Sequence, residues 1–278
     1  MALTPPTTPP TTPPTSLGIS PCPNDTFVFS ALVHGQVEGP AVTVTFADID
    51  VCNQLAIARE LDVVKVSFAA LPELLDHYAL LPTGGALGHG VGPLVLARAA
   101  DTDLAGATIA VPGERTTAYL LLRLWRQGFK VQVMPFETIM PAVRDGLVDA
   151  GLVIHESRFT YPSYGLVCLQ DLGAWWEADT GLPIPLGAIV ARRTLDLEAL
   201  TTSIRASVEH AWADPTASAA FVAEHAQEMD PDVCQQHIDL YVNDFTRELG
   251  EPGYAAVEAL LTRAVDAGLV PALRGPLR

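Results

Sequence analysis

Short apolar runs that alternate with helical patterns constrain the fold of this chain more than any other feature of its sequence. The runs have the length of strands, and the segments between them have the spacing of amphipathic helices. This alternation predicts an α/β fold with mostly parallel strands, because parallel strands need long crossovers. The predicted strands are 17–20, 42–46, 62–66, 93–97, 108–111, 131–134, 150–154 and 186–191, and the predicted helices are 25–34, 53–60, 70–77, 117–127, 138–146 and 172–179.

Beyond residue 191 the strand-like runs stop, which predicts an all-helical C-terminal part. Asp214-Pro215 and Asp230-Pro231 are helix start signals, because proline suits the first helical turn. We expect this part to pack back on the first lobe of the protein. Its predicted helices are 197–213, 215–226, 231–243 and 254–267.

Two turn-rich stretches, 101–106 and 182–187, predict where the chain passes between two lobes. The predicted large lobe comprises residues 17–103 and 188–278, and residues 104–187 form a smaller inserted lobe. Because two connections join the lobes, we predict a two-lobed α/β fold with a hinge that lets the lobes close.

The first 16 residues repeat proline and threonine, which predicts a disordered or extended tail. They lack the regions of a secretory signal, and no run of 18 apolar residues predicts a membrane span. Cys22, Cys52, Cys168 and Cys234 have neither C-x-x-C nor zinc-finger spacing. We therefore expect a cytoplasmic protein with reduced thiols, and a secreted protein with two disulfides is the alternative.

The net charge of −16 bears on the partners of the protein. Such a field repels nucleic acid and anionic membranes, so neither is a predicted partner. A small anionic substrate remains compatible with this charge if a local positive site binds it. The N-terminus of a helix can supply such a site.

A lysine interrupts the predicted buried strand 62–66. Lys65 is flanked by valines, and because an unpaired buried charge is costly, its ammonium must reach solvent, a carboxylate or a ligand. Ser67 follows at the strand end and either binds a ligand or caps the next helix. The segment after the first strand, with Asn24 or Asp25 as a candidate cap, also lies where ligands bind in open α/β folds.

Two further segments connect predicted elements. Segment 84–93 is rich in glycine, but Pro93 occupies the third glycine slot and a strand follows, so a dinucleotide loop is rejected in favour of close backbone packing or a flexible interdomain segment. Thr116 can cap the helix that follows it. The amides of Thr117 and Ala118 would then form a carboxylate site, and a plain helix cap is the alternative.

His155 follows the apolar strand 150–154, where its side chain emerges at the carboxyl end. Histidine is the side chain best suited to proton transfer near neutral pH. The His155-Glu156 pair is not a zinc motif, because no second histidine follows at the required spacing. A hydrogen-bonded structural histidine is the alternative to a catalytic one.

Five segments together, SPCPNDTF, KVSFAA, GGALGHGVGPL, VPGERTTAYLLL and AGLVIHESRFTYPSYGLV, resemble the 1,4-dihydroxy-6-naphthoate synthase family of the futalosine route to menaquinone. The resemblance covers residues 17–278, with DLGAWWE and GLPIPLGAI in the same register. It implies a type II periplasmic-binding-protein-like fold. It also implies a lyase that converts cyclic dehypoxanthine futalosine to 1,4-dihydroxy-6-naphthoate without a metal or organic cofactor.

The resemblance also assigns roles to residues. It implies that His155 is the base, and that the small anionic aromatic substrate contacts Lys65, Val66, Ser67, Thr117, Ala118 and Asn53. We expect a retro-aldol-like cleavage driven by aromatisation. Two alternatives are a solute-binding receptor of the same fold and a related enzyme such as a chorismate dehydratase.

Overall fold

The structure is a computed structural model that describes residues 13–227 and 230–278. Its strands are β1 (Thr15–Ile19), β2 (Val42–Phe46), β3 (Val63–Ser67), β4 (Tyr78–Gly88), β5 (Leu94–Ala97), β6 (Thr108–Val111), β7 (Lys130–Val133), β8 (Ala150–Val153), β9 (Val167–Asp171) and β10 (Ile184–Arg192). Its helices are α1 (Pro23–Val33), α2 (Ile49–Ile57), α3 (Leu71–Leu74), α4 (Thr117–Trp125), α5 (Phe136–Arg144), α6 (Ser157–Thr160), α7 (Leu172–Thr180), α8 (Leu197–Ala213), α9 (Ala219–His225), α10 (Pro231–Tyr241), α11 (Asp244–Arg247) and α12 (Gly250–Asp266).

The strands form two five-stranded sheets, with the orders β2-β1-β3-β10-β4 and β7-β6-β8-β5-β9. In each sheet three neighbouring strands are parallel, and the fourth strand, β10 or β5, is antiparallel to them. The fifth strand, β4 or β9, pairs with the fourth in antiparallel register and therefore runs in the direction of the first three. The prediction of an α/β architecture is confirmed, whereas the sheets are more mixed than predicted. Strands β4 and β10 of the first sheet flank, along the chain, the segment that builds the second sheet.

Sheet membership places the passage between the lobes earlier than the predicted boundary near residue 104. Strand β5 pairs with β8 and β9 of the second sheet, although the sequence placed it in the large lobe. The chain returns to the first sheet at β10, near the second predicted boundary. Beyond these pairings the predicted extents of the two lobes stay a prediction.

The N-terminal boundary also differs in part. Residues 1–12 of the predicted tail lie outside the described residues. Thr15 and Ser16, predicted to belong to the tail, are part of β1, because they pair with Val42 and Thr43 of β2. Ordered structure therefore starts before Leu17.

The C-terminal helices pack mainly on the first sheet and on α1. Helix α8 lies against α1, and the Ser207 hydroxyl donates to the Val28 carbonyl oxygen at 2.6 Å. Helix α12 contacts β10 and also α4 of the second lobe. Its inward face is apolar and buried, including Val257 and Leu260. No helix in the described part of the chain is long and apolar enough to cross a membrane.

Strand β4 was not predicted, because its glycines break the apolar pattern of a strand. Gly92, which follows β4, shows why the glycine-rich segment 84–93 needs small residues. A Cβ on Gly92 would lie 2.1 Å from the backbone nitrogen of Gly173 at the start of α7. This contact supports the predicted close backbone packing and brings the first turn of α7 against the crossover between the two sheets.

Candidate active site

A cavity of about 630 Å³, partly open to solvent, lies where the two sheets meet. Both sheets and the C-terminal part contribute to it. Five of the predicted site residues line it, namely Lys65, Ser67, Thr117, Ala118 and His155, together with Ser20, Asn24, Asp25, Ile49, Ala86, Val91, Pro93, Thr116, Ile154, Leu186, Gly187, His237 and Tyr241. Most of the predicted residues therefore converge on one concave site, as is typical of small-molecule pockets.

Lys65 meets a carboxylate in the wall of this cavity. Its Nζ lies 2.7 Å from Asp25 Oδ1 and 3.3 Å from the carbonyl oxygen of Gly84. Asp25 also accepts from the Ser20 hydroxyl at 2.7 Å and from the side-chain amide of Asn24 at 3.0 Å. Asp25 and Asn24 lie inside α1 and do not cap it, contrary to the expectation. Lys65 is thus held as a buried ion pair at the cavity surface.

Asn53 and Val66 support the cavity without lining it. The Asn53 side chain donates to Ser67 Oγ at 3.1 Å and accepts from the Ser67 amide at 2.8 Å. This pair of bonds fixes Ser67 where β3 ends. Val66 is buried in the core of the same strand, which pairs with Ala188 of β10. The structure therefore brings Asn53 to the site as a support for Ser67.

Helix α4 points its N-terminus at the cavity. The Thr116 side chain caps it by accepting from the Tyr119 amide at 3.1 Å, as predicted. The amides of Thr117 and Ala118, in the first turn, have no intrahelical acceptor. Thr117 Oγ1 donates to the Leu186 carbonyl oxygen at 2.7 Å and accepts from the Ala69 amide, which joins α4 to the first sheet. The positive end of the helix dipole therefore faces the cavity.

His155 lies at the end of β8 in an unusual backbone conformation. Its φ of 53° is in the left-handed region, which costs free energy for a residue other than glycine. The imidazole lies edge-on to Phe136, at 5.4 Å between ring centroids, and stacks on His237 at 5.9 Å. Its Nδ1 is 3.5 Å from Cys22 Sγ. Contacts from three segments thus hold the ring in place.

Burial lowers the pKa of His155, although the nearby carboxylates of Glu156, Asp25 and Asp48 oppose the shift. The imidazole is therefore unprotonated at neutral pH and can accept a proton. The same carboxylates would stabilise the imidazolium that forms. This combination suits a general base.

Sequence reasoning missed His237, which is fully buried in α10 and lines the cavity. Its Nε2 lies 2.9 Å from Asn24 Oδ1, and since an amide oxygen only accepts, Nε2 carries the proton. Its Nδ1 lies 3.6 Å from Glu156 Oε2, and neither atom has a hydrogen-bond partner in the described residues. The helical pattern of 231–243 gave His237 no distinguishing signal.

The site can thus bind an anion and accept a proton in one cavity. The amides at the start of α4 offer free donors to an anion, and Lys65 adds a positive charge that Asp25 balances. His155 offers an unprotonated imidazole that can accept a proton. This arrangement defines a two-lobed α/β protein with a cavity between its sheets that can hold a small molecule.

Solved structures place this architecture in the periplasmic-binding-protein fold, as the sequence predicted. A Candida albicans protein described as having the generic periplasmic binding protein structural fold matches with a TM-score of 0.64 at 11% identity, covering 94% of this chain and 92% of its own. A protein of Archaeoglobus fulgidus matches with a TM-score of 0.88 at 36% identity, covering 92% and 98%.

Within that fold, the chain belongs to the menaquinone biosynthesis family. A sequence profile of the family described as Menaquinone biosynthesis matches residues 15–266. A 1,4-dihydroxy-6-naphthoate synthase of Streptomyces coelicolor is 64% identical over 270 residues, covering 94% of this chain and 95% of the relative. One of Thermus thermophilus is 49% identical over 265 residues, covering 94% and 97%. The predicted family is confirmed.

Proposed function

We propose that this chain is a 1,4-dihydroxy-6-naphthoate synthase, a carbon–carbon lyase of the menaquinone route that starts from futalosine. The observation that carries the proposal is His155, an unprotonated imidazole in the cavity that also receives the N-terminus of α4. Two full-length relatives with this activity in their names support it. The substrate we assign is cyclic dehypoxanthine futalosine.

The aryl carboxylate of this substrate would bind at the first turn of α4. Charge-assisted hydrogen bonds from the amides of Thr117 and Ala118, together with the helix dipole, favour an anion there. Ser67, held by Asn53, would donate or accept one further bond. An anion site of this kind works inside a protein of net charge −16 because it is local and partly desolvated.

His155 would then remove a proton from the bound substrate. The electron pair left behind drives a retro-aldol-like cleavage, in which one C–C bond breaks and the naphthalene ring becomes aromatic. Lys65 lies in the wall of the same cavity, where it would stabilise negative charge that develops on oxygen. We propose that these side chains suffice without a metal or organic cofactor.

We also place the enzyme in the cytoplasm. Cys22, Cys52 and Cys168 are free thiols, which suits a reducing compartment. A fusion to a reporter that is active only outside the cytoplasm should therefore stay inactive.

The test is turnover of cyclic dehypoxanthine futalosine by wild type and by His155→Asn, with the naphthoate measured by chromatography. Asn keeps a polar side chain but has no basicity, so we expect turnover to fall about 10²–10⁴-fold while the dissociation constant changes little. His77→Asn, at a histidine that does not line the cavity, is the control and should keep wild-type turnover.

Three outcomes separate the alternatives. Near-normal turnover of His155→Asn would remove His155 from the mechanism. Tight binding without any turnover by the wild type would indicate a receptor. Loss of thermal stability as the main effect would make His155 a structural residue.

A further inference from the structure

Three potential metal ligands lie close together beside the cavity, although they come from two distant parts of the sequence. Cys22 precedes α1, whereas His155 and Glu156 follow β8. One donor atom of each residue lies within 4.8 Å of the donor atoms of the other two. The spacing rules that exclude a zinc motif in the sequence do not detect such a set, because two lobes contribute to it.

Two of the three donors have the spacing of ligands to a tetrahedral zinc ion. With Zn–S and Zn–N bonds of about 2.3 and 2.0 Å at a tetrahedral angle, sulfur and nitrogen lie about 3.5 Å apart. Cys22 Sγ and His155 Nδ1 are 3.5 Å apart in this structure. These two donors therefore need little movement to bind one ion.

Glu156 provides an independent observation that favours a bound cation. The residue is 7% exposed, and its Oε2 has no hydrogen-bond partner among the described residues. The facing atom, His237 Nδ1, also lacks a proton, so it cannot satisfy the carboxylate. A buried carboxylate oxygen without a donor is costly, and a cation would remove that cost.

The surroundings of the cluster favour a cation and give it access. Cys22 and His155 both line a second cavity beside the first, whose wall includes Asp48 and Asp50. The thiol, the imidazole and the carboxylate are each a type of ligand that zinc binds in proteins.

We propose that Cys22, His155 and Glu156 form a binding site for one Zn²⁺ ion. The ion displaces the thiol proton of Cys22, which passes to the buffer. Three protein ligands leave a fourth position that water or a substrate oxygen fills. Binding occupies the lone pair of His155, so zinc acts as a reversible inhibitor. The inhibition rests on the proposed role of His155, whereas the binding does not.

Isothermal titration of ZnCl₂ into the metal-stripped full-length protein tests the site. We expect one ion per chain, with a dissociation constant that rises at least about tenfold in Cys22→Ala and in Glu156→Gln. Cys168→Ala removes an exposed thiol that is not part of the cluster and is the matched control; its dissociation constant should equal that of the wild type. Titration in buffers of different ionisation enthalpy should detect about one released proton per ion in the wild type.

Cobalt provides a direct view of the sulfur ligand. Co²⁺ bound to the wild type should show a thiolate-to-metal charge-transfer absorption that Cys22→Ala lacks and Cys168→Ala keeps. Absence of stoichiometric zinc binding, or binding that survives in Cys22→Ala and Glu156→Gln, would overturn the proposal. Melting curves of both variants verify folding, and Glu156→Gln, which keeps the side-chain shape, carries the test if Cys22→Ala unfolds.

Turnover separates this proposal from the proposed function. Zinc should inhibit wild-type turnover, EDTA should restore it, and Cys22→Ala should resist zinc. A wild type that binds zinc at Cys22 yet has no turnover would contradict the proposed function and leave the site intact. Zinc that binds there without inhibiting would overturn the inhibitory role.

Discussion

At the scale of single residues, the cavity depends on a charge that the fold hides from water. Lys65 is 4% exposed and Asp25 is 2% exposed, so each charge depends on the other. Ser20 and Asn24 satisfy the remaining lone pairs of the carboxylate. A buried pair of this kind contributes little net stability, but removing one partner leaves an uncompensated charge.

Lys65→Met should therefore destabilise the protein by about 3–5 kcal/mol, because it leaves Asp25 charged and buried. Arg144→Met is the control: its partner Asp145 and Arg144 itself are both half-exposed, so we expect its stability to stay close to that of the wild type. Urea denaturation of both variants measures the difference. A Lys65→Met variant as stable as Arg144→Met would show that Asp25 is protonated or solvated once the lysine is gone.

The sequence identified those site residues whose immediate neighbours in the chain already indicate their environment. Lys65 between valines and His155 after an apolar strand both stood out, and both line the cavity. Glu156 and His237 did not, because their importance comes from a 3.6 Å approach between segments some eighty residues apart along the chain. The sequence around Glu156 and the sequence around His237 each give no sign that the two side chains face one another in the folded protein.

At the scale of secondary-structure elements, an element was predicted correctly where its hydrophobic repeat and the capping or turn residues at its ends indicate the same structure. Elements without that agreement were missed. Helix α8 was predicted with its observed bounds, because an Asp N-cap and a clean apolar stripe define it. Strand β4 escaped because Gly84, Gly85 and Gly88 interrupt it. Strand β9 escaped because it is short and its Cys168 is exposed. The direction of the strands was also predicted only in part, because the alternation of strand-like and helical segments does not determine whether neighbouring strands are parallel.

The N-terminus of α4 allows a test of one backbone group at a time. Ala118 stands in the first turn, where proline is tolerated, so Ala118→Pro removes one amide and leaves the helix intact. If that amide binds the substrate carboxylate, the dissociation constant should rise about tenfold or more, as expected for a charge-assisted hydrogen bond of 1.5–3 kcal/mol.

Glu198→Pro is the matched control for this change. It stands at the equivalent position of α8, whose N-cap is Asp196, outside the cavity. Its substrate affinity, measured by the same titration, should equal that of the wild type. An unchanged affinity of Ala118→Pro would place the carboxylate elsewhere in the cavity.

At the scale of the whole molecule, two sheets and a helical C-terminal part enclose ionisable groups that each element alone would leave in water. Helix α10 carries His237 from the C-terminal part into the wall of the cavity, opposite Glu156 from the second lobe. Folding thus brings together two imidazoles, from His155 and His237, in a space that disfavours their charged forms. The stability of the protein should reflect this in its dependence on pH.

Burial lowers the pKa of His155 and lowers that of His237 well below its usual value near 6.5. The unfolded chain therefore binds these protons more readily than the folded protein does. Stability is fully present above about pH 6.5 and falls as the pH drops toward the lowered pKa values, by up to about 1.4 kcal/mol per pH unit for each histidine.

Urea denaturation between pH 7.5 and roughly 5 should show this slope. His237→Gln should make it shallower, whatever its effect on stability at pH 7.5, whereas His77→Gln, at a more exposed histidine, should keep it. A wild-type curve that is flat across this window would mean that His237 is protonated in the folded protein, with Glu156 as its ion-pair partner.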